Sequence, residues 1–99
     1  MLTKIKNIIV ENAPLAKIYL YGSRARGTSN SESDWDILIL LQQDKITSKI
    51  EDKITDPLYD LEFETGEVIS PMIYSENEWN SKYHVTPFYN NIMKEGQLL

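Results

Sequence analysis

Apolar residues at the start of the chain fall at three- and four-residue spacing. Leu2, Ile5, Ile8 and Ile9 share one side of a helical wheel, which predicts an amphipathic helix over residues 3–12. Asn12-Ala13-Pro14 ends it, because proline disfavours helical geometry in the residue before it. The pattern then changes. Lys17-Ile-Tyr-Leu-Tyr21 is aromatic and β-branched and suits a strand. Gly22 permits a tight turn, and Ser23 is placed to cap a short helix over Arg24–Arg26. Residues 27–33 are small and polar, hence a loop.

Ile37-Leu-Ile-Leu-Leu41 is a continuous apolar run, as expected of a strand covered on both faces. Asp44 can cap a helix carrying Ile46, Ile50 and Ile54 at four-residue spacing. Asp56-Pro57 reads as a break, followed by a second short helix that buries Leu58 and Leu61 and stops at Gly66. Residues 68–74 form a third strand, and Pro71 assigns it an edge position or a bulge. Ser75-Glu-Asn-Glu78 is a capping box opening a short helix with Trp79. Thr86-Pro87 starts a last helix in which Phe88 and Ile92, and Tyr89 and Met93, are four-spaced pairs; Gly96 lies just past its end. These elements give an α+β fold: a small mixed β-sheet of at least three strands packed with helices.

Composition narrows the function. The 99 residues fit one domain. There is no cysteine, so disulfides, thiolate metal sites and cysteine nucleophiles are excluded. No apolar run approaches the roughly 18 residues needed to span a membrane, and residues 1–12 lack a signal-peptide pattern; a soluble, cytoplasmic chain is expected. A net charge of −5 argues against a broad nucleic-acid footprint. Arg24 and Arg26 are therefore a local basic feature, better suited to a small phosphorylated ligand than to a long polyanion.

The chemistry gathers between residues 22 and 36. Backbone N–H groups at the Gly22-Ser23 turn, where a helix starts, present partial positive charge to an anion. By itself the turn reads more simply as a plain cap with two solvated arginines; the acids downstream reverse that. Asp34 and Asp36, one residue apart at the start of a strand, face the same side of the sheet. Two carboxylates following an anion-holding turn suit magnesium, which is commonly held by one or two carboxylates and substrate phosphates. Trp35 points the other way, into the core, with stacking on a nucleotide as the alternative. His84, the sole histidine, sits in a polar stretch and reads as a surface residue. Tyr19, Tyr21, Tyr59 and Phe63 are expected in the core. Trp79, Tyr83, Phe88 and Tyr89 are expected mostly in the core, with any surplus beyond what so small a core covers forming an exposed patch suited to a dimer or partner interface.

Gly22-Ser-Arg-Ala-Arg-Gly27 followed by Ser33-Asp-Trp-Asp36 resembles the signature of the polymerase-beta-like nucleotidyltransferases. The chain is most similar to the minimal nucleotidyltransferases of bacteria and archaea, which are often the antitoxin half of a pair whose toxin is a helical HEPN-domain ribonuclease. The resemblance implies that Gly22 and Ser23 bind the β- and γ-phosphates of ATP or another nucleoside triphosphate, with Arg24 or Arg26 adding a charge-assisted contact. It implies that Asp34 and Asp36 hold one or two Mg²⁺ ions, and that the acceptor is a hydroxyl, often a tyrosine of the partner toxin. Active members of the family carry a third carboxylate on a later strand. The matching position here is Ser70, which supplies neither charge nor a base; Glu67 or Glu64 would replace it only if the strand shifted register. Two readings follow: a metal-dependent nucleotidyltransferase, or a catalytically weak nucleotide-binding antitoxin that acts by contact. A homo-oligomer or a partner would supply the acceptor. A polymerase-like role on nucleic acid fits neither the charge nor the length.

Overall fold

The computed structural model describes residues 1–28, 30 and 33–99. Its elements, in order, are α1 (Leu2–Asn12), β1 (Lys17–Tyr21), α2 (Ser23–Arg26), β2 (Trp35–Leu41), α3 (Ser48–Thr65), β3 (Ile69–Ser75), α4 (Glu76–Ser81), α5 (Pro87–Glu95) and β4 (Gln97–Leu98). The sheet order is β3-β2-β1-β4. β1 runs antiparallel to β2 and β4, whereas β2 and β3 are parallel, so the sheet is mixed as expected.

β2 is the central apolar strand, and its alternation divides the molecule into two layers. Ile37, Ile39 and Leu41 join Ile18, Leu20 and Ile69 against Ile5 and Ile9 of α1 and Ile54, Leu58 and Leu61 of α3. Leu38 and Leu40 face the other way, onto buried Trp79 and Ile92, with Tyr19, Tyr21, Tyr74, Tyr83, Phe88 and Tyr89 packed around them. Most of the late aromatics are thus consumed by a second core. Trp79 meets Phe88 edge-on at 5.7 Å between ring centres and Tyr89 at 5.1 Å, separations that favour aromatic pairs.

The caps follow the sequence at three places. Ser75 Oγ accepts from the Glu78 N–H at 3.0 Å, Thr86 Oγ1 accepts from Tyr89 N–H, and Pro87 occupies the first turn of α5. His84 is exposed, as expected.

Other expectations are corrected. Residues 44–65 do not form two helices broken at Pro57. A single 18-residue helix starts at Ser48, capped by Thr47 Oγ1, and Pro57 lies inside it. Proline removes one backbone donor, but a continuous stripe of Ile54, Leu58 and Leu61 faces the core on both sides of it, and that burial outweighs one lost bond. Asp44 is not the cap; its carboxylate accepts from the Asn77 side chain instead. Ser23 is not the cap of α2 but its first residue, because Gly22 makes the entry with φ 76° and ψ −159°. Tyr59 and Phe63 are exposed, Phe63 by 91%, because the buried stripe of α3 turns them outward. Strand β4 was not expected; two residues carry no readable period, and they add to β1 through Gln97↔Leu20 and Leu98↔Tyr19. Pro71 does fall on an edge strand, where a missing N–H is tolerated.

The two sides of α3 should respond differently to truncation. Leu58→Ala is expected to lower unfolding free energy by about 2–5 kcal/mol. Phe63→Ala should change it by no more than about 0.5 kcal/mol, as for a surface substitution. Urea denaturation of both variants measures the difference; a comparable loss in Phe63→Ala would mean that this face is covered.

Candidate functional site

The site lies where the carboxyl end of β1 meets the amino end of β2. The register pairs Tyr21 with Asp36 on one side and Asp36 with Ser70 on the other, so these three residues form a row across the sheet. The row shares its face with Leu38 and Leu40, the side covered by the aromatic cluster. Gly22 follows Tyr21 directly, and a Cβ built on it would overlap the Asp36 carboxylate. Glycine is needed there twice over: for the left-handed backbone and for the space.

Gly22 leads into the single turn α2. Ala25 and Arg26 donate to the Gly22 carbonyl, while the Ser23 and Arg24 N–H groups, at the start of the turn, have no carbonyl partner within it. The Asp36 carboxyl titrates above its ordinary value, first because it is partly desolvated and then because Asp34 repels its negative charge; Arg26 acts in the opposite direction. The two carboxylates and Arg26 therefore share one electrostatic neighbourhood. The Tyr21 hydroxyl is pushed up to about 12 by burial, then by the charge of Asp36 and by Tyr74.

An open cleft of about 450 Å³ adjoins this row, lined by Tyr21, Gly22, Arg26, Phe88, Asn91, Ile92 and Glu95. Arg26 is half-exposed at its rim, with its guanidinium 3.5 Å from Glu95. Another cavity, about 290 Å³, lies at the opposite end of the sheet between residues 12–16, residues 41–43 and α3. Lys53 is its only charged lining residue, and the acids are remote from it.

Arg24 does not join the acids. Its guanidinium stacks 3.8 Å over the Trp35 ring and donates through Nε and an NH₂ group to the Ser33 carbonyl. Trp35 alternates with Asp36, so this stack is on the opposite face of the sheet. Trp35 is half-buried against the first core, as expected, but its ring also carries the arginine. Glu67 is on that face too, accepting from Trp35 Nε1 at 3.1 Å and lying 3.7 Å from Arg24. It therefore cannot replace a third acid beside Asp36, and Glu64 is exposed on α3. Ser70 holds that place. Among the described residues, no group of three or more His, Cys, Asp or Glu side chains could hold a metal ion.

Residues 3–99 match the family model described as "Polymerase beta, Nucleotidyltransferase". The chain belongs to this nucleotidyltransferase family. A similar protein of Methanocaldococcus jannaschii, named "Putative protein adenylyltransferase MJ0604", is 36% identical over 85 residues, covering 86% of this chain and 78% of the relative. Two crystal structures share the fold of this nucleotidyltransferase at 19% identity. One is described as a toxin–antitoxin with AMP-PNP, with a TM-score of 0.66 over 97% of this chain and 69% of the other. The other is described as the toxin–antitoxin MntA-HpeT carrying a Y104A mutation, with a TM-score of 0.63 over 100% of this chain and 71% of the other. No helix among the described residues is long and apolar enough to cross a membrane.

Sequence reasoning missed one member of the neighbourhood and misplaced another residue. Tyr21 was expected only as core, yet it stands opposite Asp36 and lines the cleft; strand pairing, not composition, reveals this. Glu67 was weighed as a metal ligand, but its partners are Trp35 and Arg24.

Two outcomes test the geometry. Gly22→Ala should destabilise the fold by about 1–3 kcal/mol, the scale for a residue forced into a conformation open only to glycine, as read by thermal denaturation. Asp36→Asn should be more stable than the parent at pH 7 without metal. A group whose pKa is raised on folding favours the native state while protonated and loses that contribution as pH rises through the folded pKa. The advantage should therefore shrink in acid, below the ordinary carboxylate value of 3.8. An advantage that persists at pH 3 would contradict the assignment.

Proposed function

We propose that residues 1–99 act as one nucleotidyltransferase domain that moves AMP from ATP to a hydroxyl of a partner protein. The observation that carries this reading is the contact of the Gly22 backbone with Asp36, with Asp34 close enough to raise its pKa. A phosphate-sized anion at the Ser23 turn would there lie beside two carboxylates, an arrangement that only a bridging cation makes favourable. Two neighbouring carboxylates, one of them Asp36 with its proton affinity raised by burial and by the charge of Asp34, fit a hard divalent cation such as Mg²⁺, which is commonly held by one or two carboxylates with phosphate oxygens and water. Asp34 and Asp36 would hold one or two such ions. When bound, the metal neutralises charge on the leaving pyrophosphate.

The chain's own groups supply position. Gly22 lets the backbone come close to the β- and γ-phosphates, to which the Ser23 N–H and hydroxyl donate, and Arg26 is the arginine on the side of the acids. In the transfer, the acceptor oxygen bonds the α-phosphorus, the bond to pyrophosphate breaks, and the hydroxyl proton leaves. Ser70 cannot take that proton at neutral pH, so the acceptor must arrive already activated or meet another base. The name of the M. jannaschii relative supports AMP and a protein acceptor. The toxin–antitoxin neighbours support a toxin partner; a tyrosine of a HEPN-type helical protein is the proposed acceptor, and the cytoplasm the proposed compartment.

A second reading has its own observation. Ser70 beside Asp36 leaves the row one acid short, which favours a nucleotide-binding antitoxin that neutralises its partner by contact.

Incubation with α-labelled ATP and Mg²⁺, with and without the protein encoded by the adjacent gene, separates the two. Label on protein that disappears in Asp34→Ala/Asp36→Ala supports transfer. ATP binding and a stable complex without label support the contact reading, and unchanged ATP affinity in the folded double variant would sink both. Ser70→Asp should raise transfer by restoring a third acid in the row. No gain in a variant that still binds Mg-ATP would place the deficit elsewhere.

A further inference from the structure

Arg24 lies in the middle of the glycine–serine turn, where its charge suggests a phosphate ligand, yet its side-chain partners among the described residues, Trp35 and Glu67, are on the other face of the sheet. Its side chain is only 14% exposed. Two of its N–H groups converge on the Ser33 carbonyl, at 3.1 and 2.9 Å. Its plane covers the Trp35 ring at 3.8 Å, and Glu67 Oε1 accepts from Trp35 Nε1 while pairing with Arg24. The Trp35 N–H donates to the Val68 carbonyl at 2.8 Å. Asp34 is thus the one residue between two that are held: Ser33 by the arginine fork, Trp35 by the stack, by Glu67 and by the main chain of Val68, just before β3. Asp34 itself precedes β2 and is exposed, and the described hydrogen bonds and ion pairs give its side chain no partner.

We propose that Arg24 is a positioning residue for Asp34: with Trp35 and Glu67 it fixes the main chain on both sides of that carboxylate, and it does not contact the nucleotide. The proposal rests on the reading of Asp34 as a metal ligand given above. Its physical basis is general. A carboxylate on an unsupported loop must be ordered by the ion it binds, whereas one on a clamped main chain is already in place; groups that orient metal ligands commonly govern affinity without touching the metal. The fork matters more than the charge. Lysine keeps the charge but cannot present two coplanar N–H groups to one carbonyl while stacking on indole.

The test uses the full chain with Mn²⁺ as the probe, titrated calorimetrically into the parent, Arg24→Lys, Asp34→Ala and the double variant. Arg24→Lys should weaken Mn²⁺ binding roughly 10- to 100-fold, the range for residues that orient metal ligands, and should add nothing in the Asp34→Ala background. Full affinity in Arg24→Lys, or an equal further loss in the double variant, overturns the proposal. ATP binding in EDTA should be the same in parent and Arg24→Lys; a loss there would make Arg24 a phosphate ligand and also overturn it. Hydrogen exchange is the readout independent of metal. Amides of residues 33–36 should exchange faster in Arg24→Lys while residues 38–41 stay protected, and unchanged exchange at 33–36 defeats the clamp. If Asp34→Ala leaves Mn²⁺ binding intact in the parent, the metal-ligand reading fails, and exchange alone decides the clamp. Should Arg24→Lys not fold, Glu67→Gln, which keeps the indole acceptor but removes the charge facing Arg24, is expected to give the same pattern with a smaller loss.

Discussion

The absence of a side chain at Gly22 sets the geometry of the site. Its backbone and the Asp36 carboxylate occupy adjoining space that admits no Cβ. That closeness is possible only because β1 ends opposite the second residue of β2, with Tyr21 and Asp36 in register. A slip of one residue would turn Asp36 into the α1–α3 core and bring Trp35 or Ile37 against Gly22. The register is held by burial: β2 is apolar on both faces, and each face is committed to a different layer. The chemistry at the end of the strand is therefore fixed by hydrophobic packing along its length.

The division of faces also separates two polar groups. On one face Trp35, Arg24 and Glu67 contact one another at the edge of the first core. On the other Tyr21, Asp36 and Ser70 form a row, and Tyr21 and Arg26 line the adjoining cleft. The two arginines of the turn, one residue apart in a single helical turn, diverge to opposite sides. Arg24 is held by a carbonyl, an indole and a carboxylate; Arg26 remains half-exposed and lowers the pKa of Asp36 against the pull of desolvation and Asp34. In a chain with a net charge of −5, this leaves a single nearby cation to offset the two acids.

Much of this was legible in the sequence where a local rule suffices. The strand over residues 17–21, the apolar run at 37–41, the Ser75 and Thr86 caps and the edge position implied by Pro71 all depend on neighbours within a few residues. Strand alternation, which predicts a shared face for Asp34 and Asp36, reaches only Asp36, because β2 begins at Trp35; the two acids are linked instead by the repulsion that raises the Asp36 pKa. What escaped depends on contacts distant in sequence. Pro57 looks like a helix break until Leu58 and Leu61 are seen to continue the buried stripe of Ile54. Tyr59 and Phe63 look like core until that same stripe turns them to solvent. Glu67 and Trp35 are 32 residues apart, and Gln97 reaches β1 from the other end of the chain; no pattern within either segment announces the pairing.

The serine at position 70 has a consequence for the balance of forces in the row. Asp36 already resists ionisation because it is partly buried and Asp34 is near. A third carboxylate on the adjacent strand would add like charge at the distance of neighbouring strands, about 4.8 Å, and raise the cost of the charged state further in the absence of a cation. A neutral hydroxyl removes that repulsion. The folded chain is then less dependent on a bound ion for its stability, while an ion that does bind meets less negative charge and is held less tightly. Under the proposed metal site, metal-free stability and metal affinity are set against each other at one residue, and a serine at position 70 favours the fold.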